Sequence, residues 1–281
     1  MTLETTAAVV VAHPGHEVRI HGWLERERPT VFVLTDGSTR DSGSRVASTR
    51  EYLKRFGMRS GRCFGRLTDA EVYRLILARD FRPFVELCEE LAAAFVEERV
   101  GCVVGDASEG YNTTHDLARL VTNAAVEMAR RAARRPIANY DFTVVHRPDH
   151  CPARLRAGAV WVELDDEAFA RKLSAAFEFY PALAAEARDA LSGEGDDRTT
   201  EYFKLKGDAD AATDFTGLDV FRTECLRPVT PGDPPFESPE PFYELWGEAK
   251  VTVGVYERVI RYREHMLPLA EALAEAAGRS A

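Results

Sequence analysis

Short, β-branched apolar runs alternate along the chain with longer stretches in which apolar residues recur every three or four positions. Val9-Val10-Val11 is such a run; it stops at His13-Pro14-Gly15-His16, and helical spacing resumes over 17–27. The pattern predicts a buried strand that delivers polar side chains to its C-terminal end. Further strands are expected over 30–34, 100–104, 137–145 and 160–164, and helices over 45–56, 69–78, 84–98, 115–131 and 165–191. A last helix-like run, 251–266, ends before Pro268. Strands alternating with helices of about ten to fifteen residues imply an α/β fold, Rossmann-like and three-layered, with a mainly parallel sheet covered on both faces. The expected organisation is one metal-binding domain over 1–190 and a C-terminal elaboration over 191–281 packing on it. Loops are expected over 38–46 and over the acidic stretch 192–200. The Pro- and aromatic-rich 236–246 reads as a packed irregular segment, either core filling or the rim of an interface or lid.

Open α/β sheets keep their sites at the C-terminal strand edge. Two imidazoles three residues apart at such an edge, His13 and His16, suggest a metal, because neutral His nitrogens suit zinc and related ions. His115 is the best third ligand: it follows the 100–104 strand and a polar loop and sits where a new helix begins, with Thr113 or Thr114 as N-cap. Candidates around this set are Asp106, Glu109, Tyr111 and His21 for proton transfer or oxyanion stabilisation, and Arg19, Asp36, Arg45 and Asn112 for holding substrate. Arg19, Arg40, Arg45 and Arg50 would form a positive rim for a phosphorylated, nucleotide-linked or carboxylated substrate. Asp116 is expected beside the ligands rather than on the metal. Lys172, Glu178 and Tyr180 are placed where they could reach the cleft, and His146, Asp149 and His150 have ligand-like spacing that a polar loop explains equally well.

With 281 residues a sizeable core is expected. The net charge of −10 argues against generic nucleic-acid binding, and Arg130-Arg131 and Arg134-Arg135 before Pro136 read as a solvated helix end. Five scattered cysteines without a CxxC pair fit free thiols of a reducing cytosol. The apolar stretch 7–12 is too short to span a bilayer and no basic leader precedes it. A soluble cytoplasmic protein acting on a small molecule is the expectation, with no nucleic-acid or membrane partner; self-association, as a homo-oligomer, is left open.

The order of strand, His13-Pro14-x-x-Glu17, helix, a strand ending in Thr35-Asp36-Gly37, Arg50-Glu51 in the next helix, then a strand, a loop and His115 opening a helix resembles the PIG-L/LmbE-type zinc-dependent de-N-acetylases of amino sugars. The resemblance covers about 7–130, with a fainter echo to about 180. It implies a zinc ion on His13 and His115, with water activated by the metal attacking an N-acyl group. In that family the first segment reads His-Pro-Asp-Asp-Glu, its second Asp binding zinc and its first acting as general base. Here His16 stands at the ligand position and Gly15 at the base position; the family's helper His, three residues before the last ligand, is replaced by Asn112. Glu17 matches the family's Glu and is expected to sit behind the ligands or cap the helix. The chain thus reads as a divergent member: a metal-dependent amide hydrolase with a relocated base, with Glu109 or Asp106 as the substitutes. The alternatives are a metal protein of the same fold, carrying iron rather than zinc, that performs non-hydrolytic chemistry or binds ligand without turnover, and a structural α/β domain whose histidines are ordinary loop residues.

Overall fold

A computed structural model describes residues 6–38, 43–182, 184–185, 202, 217–230 and 240–279. Strands β1 (Thr6–Val11), β2 (Thr30–Thr35), β3 (Arg59–Leu67), β4 (Val100–Asp106) and β5 (Ala138–Phe142) run parallel, and β7 (Thr223–Pro228) lies antiparallel between β5 and β6 (Val160–Glu163). The sheet order is β3-β2-β1-β4-β5-β7-β6. Helices α3 (Asp69–Ala78), α4 (Arg82–Glu97), α5 (Thr113–Ala133) and α8 (Leu267–Arg279) cover one face; α1 (His21–Glu27), α2 (Val46–Arg55) and α6 (Asp166–Phe179) cover the other. A further helix, α7 (Phe242–Thr252), buries Phe242 and Tyr243. The three-layer α/β expectation is therefore met.

The pleat of β1 explains its uninterrupted apolar sequence: Ala8 and Val10 enter the core under α4 and α5, while Ala7, Val9 and Val11 enter the opposite core. Because β1 lies between β2 and β4, the chain reverses its winding direction there, and a crevice opens at the C-terminal ends of β1 and β4. Gly105 permits that pairing, since a Cβ on it would stand 2.7 Å from the Val10 carbonyl oxygen.

Several expected elements take another form. The 17–27 helix is a 3₁₀ segment, His16–Ile20, followed by α1, with Ile20 outside helical geometry at φ −117° and ψ 34°. The α5 N-cap is Asn112, whose side chain accepts from Thr114 N at 2.8 Å, so Thr113 is already helical. The run over 251–266 is not one helix: α7 ends at Thr252, a π-turn occupies Tyr262–Met266, and Pro268 lies in the first turn of α8. Proline is accepted there because the first helical N–H groups have no partner within the helix. Strands β3 and β7 had no counterpart in the sequence pattern. The 192–200 loop, Arg40, and 236–239 of the aromatic segment lie outside the described residues. Among the described residues no helix is long and apolar enough to cross a membrane.

Candidate metal centre

β1 ends at Val11, and the chain turns through Gly15, which sits in the left-handed region at φ 107°. Glu17 fixes this turn by accepting from Gly15 N at 2.8 Å, and Tyr180 at the end of α6 donates to the other oxygen of Glu17 at 2.5 Å. The turn carries His13 and His16; the first turn of α5 carries His115. All three are buried, with ring centroids 4.6 to 5.1 Å apart, and their nearest ligand atoms lie within 4.8 Å of one another.

The hydrogen bonds behind two of these rings decide their protonation. Thr35 Oγ1 lies 3.0 Å from the Ala12 carbonyl and 2.8 Å from His13 Nδ1; donating its single hydrogen to the carbonyl, it accepts from Nδ1. Nδ1 of His13 thus carries the hydrogen, and Nε2 keeps its lone pair. Asp106 Oδ2 lies 2.8 Å from His16 Nδ1 and accepts from Ala12 N at the same distance, which assigns His16 the same tautomer. Burial, the neighbouring His16 and Arg45 hold the His13 imidazole well below its ordinary pKa, in the neutral form a metal needs. Imidazoles converging on one point, two of them oriented from behind by an oxygen acceptor, fit a zinc or iron ion.

The other sequence candidates disperse. Asp106 supports His16 and Ala12, and its side chain is sealed from solvent, so it is not an accessible base. Glu109 faces away from the imidazoles: it accepts from Val144 N, Val145 N and His146 N at 2.7 to 2.9 Å and lies 2.7 Å from His146 Nδ1. Burial alone would raise its pKa, but the His146 contact and these backbone donors pull it down to about 2. A carboxylate held so strongly as an anion, and enclosed, is a clamp on the 143–146 loop rather than a proton acceptor. His21 packs against Tyr52 and Phe56 under α2, with Nδ1 2.8 Å from the Tyr52 hydroxyl, and takes no place in the cleft. Arg19 reaches the carbonyls of Thr143 and His146, and Arg50 lies over the Phe64 ring, so neither joins a positive rim. Asp36 accepts from Ser38 N and Oγ and closes its own turn. Asn112 is committed to its cap. Asp116 accepts from Glu109 N and Gly110 N at 3.1 Å, and burial pushes its carboxyl up to about 7. Tyr111 stacks on Phe242 with its ring centroid 6.5 Å from His115, forming an aromatic wall beside that ligand.

Of the four expected rim arginines, Arg45 stays near the centre, donating to the Pro14 and Gly37 carbonyls and acting electrostatically on His13. Lys172 forms a buried pair with Glu224, and Glu178 pairs with Arg55 at the surface, so neither reaches the cleft. His146 and His150 stack face to face at 4.8 Å instead of converging; among the described residues, the group able to hold a metal is the His13, His16, His115 set.

Two residues at the centre escaped sequence reasoning. Thr35 is one; the parallel register that bonds its N–H to the Ala12 carbonyl at 2.9 Å is the signal that could have found it. Asp69 is the other, the first residue of α3, with Oδ1 3.6 Å from His13 Nδ1 and a hydrogen bond from Thr114 Oγ1 at 3.1 Å. Its side chain is 21 % exposed, whereas that of Asp106 is fully buried. Burial lifts the Asp69 carboxyl to about 6 against the Thr114 hydrogen bond.

No protein-family model matches this chain, and neither does any curated protein. Solved structures do match. Teicoplanin deacetylase Orf2, in a zinc-inhibited form, aligns at a TM-score of 0.49 and 12 % identity over 82 % of this chain and 100 % of its own. The deacetylase of the A40926 pseudoaglycone, an antimicrobial, aligns at 0.46 and 18 % identity over 80 % of this chain and 97 % of its own. The conserved protein TT1542 from Thermus thermophilus aligns at 0.46 and 18 % identity over 81 % of this chain and 95 % of its own.

Proposed function

We propose that this protein is a metal-dependent hydrolase that cleaves the amide of a small polar substrate, an N-acylated amino sugar or a similar compound. The observation that carries the reading is the convergence of His13, His16 and His115 with two of the three tautomers set by Thr35 and Asp106. A divalent ion held by three imidazoles supplies Lewis acidity and lowers the pKa of a water it binds. Asp69, a partly exposed carboxylate 3.6 Å from His13 Nδ1, approaches that ring from the side away from Nε2; turned toward the cleft, it would replace the base that Gly15 lacks. It takes the proton from the attacking water and returns it to the departing nitrogen as the C–N bond breaks, leaving a carboxylic acid and an amine. Arg45, anchored at the rim by two carbonyls, holds an anionic or carbonyl group of the substrate. Tyr111, held against Phe242, would line the cleft beside His115.

The test combines elemental analysis with release of primary amine from N-acetylglucosamine and related amides. A His13→Ala, His115→Ala double variant should lose a bound zinc or iron that the parent retains. Asp69→Asn should keep the metal while kcat falls by about two to four orders of magnitude. A parent that holds no metal after reconstitution overturns the reading. A metal-loaded parent that releases no amine, with iron as the ion, favours non-hydrolytic chemistry at the same three histidines.

A further inference from the structure

His115, Arg119 and Asn123 follow one another at successive turns of α5 and so share one stripe of that helix. His115 ends in the candidate metal centre. The other two hold the helix to β5. Arg119 donates through Nη1 to the Tyr140 carbonyl at 3.0 Å and through Nη2 to Asn139 Oδ1 at 3.1 Å, while Asn139 Nδ2 donates to Asn123 Oδ1 at 2.9 Å. The guanidinium also lies over β4, with Nη1 3.7 Å from the place a Cβ on Gly105 would take, next to Asp106 in the strand.

A cation as enclosed as Arg119, which is 2 % exposed, needs carboxylates around it. Burial brings its pKa down to about 10, Asp141 and Asp106 resisting and Arg227 adding to the fall, so the charge persists at neutral pH. Arg227 in turn pairs with Asp141 at 2.6 Å, which leaves two guanidiniums and two carboxylates in a balanced buried group. No hydrogen bond joins Arg119 to Asp106 among the described residues; Nε of the one and Oδ1 of the other are both without a partner, and Asp106 acts on Arg119 through charge. Asp106 is also the acceptor that orients the His16 ring.

We propose that Arg119 is a positioning residue for the candidate metal centre: it ties the helix that carries His115 to the strand ends that carry Asp106 and, through Asp106, set His16. The inference rests on the reading of the three imidazoles as metal ligands. These ligands come from two separate elements, the turn after β1 and the start of α5, and an ion accepts nitrogens only within about 0.2 Å of their usual distance. Arginine's planar fork meets two acceptors in one fixed geometry, which the single ammonium of a lysine does not. Plain electrostatics predicts the opposite effect, because loss of a nearby cation would tighten the binding of a divalent ion. The direction of the change therefore separates positioning from charge.

The test is zinc competition against a chromophoric chelator, with the visible spectrum of the cobalt(II)-substituted protein as a report on ligand geometry. Arg119→Met and Arg119→Lys should each bind zinc about 10–100-fold more weakly than the parent and show altered cobalt bands. Leu120→Ala, which removes a buried core side chain beside Arg119 on α5, should lose stability yet keep the parent's affinity and spectrum. If Arg119→Met does not fold, Arg119→Lys and Asn139→Ala, which keep the charge and loosen the fork, decide in its place with the same expected loss. Parent-like affinity and bands in these variants, tighter binding in Arg119→Met, or an equal loss in Leu120→Ala overturns the proposal while the metal reading stands. A parent that takes up neither zinc nor cobalt removes the metal reading and this inference with it.

Discussion

Asp106 does two jobs with one oxygen. Oδ2 accepts from Ala12 N, which fixes the end of β1, and from His16 Nδ1, which fixes a candidate ligand ring. An alanine removes both contacts at once. In Asp106→Ala, Ala12 N loses its acceptor and the His16 ring loses the oxygen that holds its hydrogen on Nδ1, so neither the orientation nor the tautomer of that ring is fixed. Affinity for zinc, measured by competition with a chromophoric chelator, is expected to fall by about 10–100-fold while the fold is retained. The convergence of the three histidines was legible in sequence: His13 and His16 share one turn after an apolar run, and the family resemblance pointed to His115 as their partner. Asp69 was not, because an acid following a threonine at a helix start looks like ordinary capping, and the Thr68 and Glu71 box confirms that it is also that. Glu109 misled for the converse reason: nothing local reveals that the backbone of 144–146 folds over it and supplies three N–H donors.

At the level of elements, periodicity found the buried strands and missed those at the margins. Both faces of β1 and β2 are covered, so they read as continuous apolar runs. β3 is an edge strand of sequence RSGRCFGRL in which only Cys63 and Phe64 are buried, and its charges and glycines suit an unpaired edge better than a recognisable pattern. β7 is equally polar in sequence because Glu224 and Arg227 are buried in pairs with Lys172 and Asp141, which sequence alone reads as solvated charges. Element contacts also make a single atom decisive at Gly105. A methyl group there would meet backbone, the Val10 carbonyl oxygen, and not the end of a side chain that could swing aside. Gly105→Ala should therefore force β1 and β4 apart beside the candidate metal centre and cost about 1–3 kcal/mol of stability, as read by urea unfolding.

Across the whole molecule, buried titratable groups make stability depend on pH. His21 is enclosed by Tyr52, Glu25, Lys172 and Arg171; burial brings its pKa from 6.5 to about 4, the cations adding to the effect and Glu25 opposing it. The unfolded chain therefore binds a proton between pH 6.5 and 4 that the folded chain refuses. Stability is full above that window and falls as pH drops through it, by an amount on the order of 3 kcal/mol for this residue. Glu109, depressed to about 2, adds a further loss below the ordinary carboxylate range. Asp116 and Asp69, raised to about 7 and about 6, act in the opposite sense over this range, so the His21 contribution is read as a difference: the urea midpoint of the parent relative to that of His21→Gln should fall as pH goes from 7 to 4. The sheet order carries a different consequence. β5 gains its second neighbour only from β7, a segment lying far beyond it in the chain. During synthesis, at about 5–20 residues per second, the half that carries all three histidines is already outside the ribosome while the free side of β5 still waits for its partner. The nascent protein can thus assemble the three candidate ligands before its sheet is closed, and under the proposed function an ion captured at that stage would help hold the incomplete core together until β7 arrives.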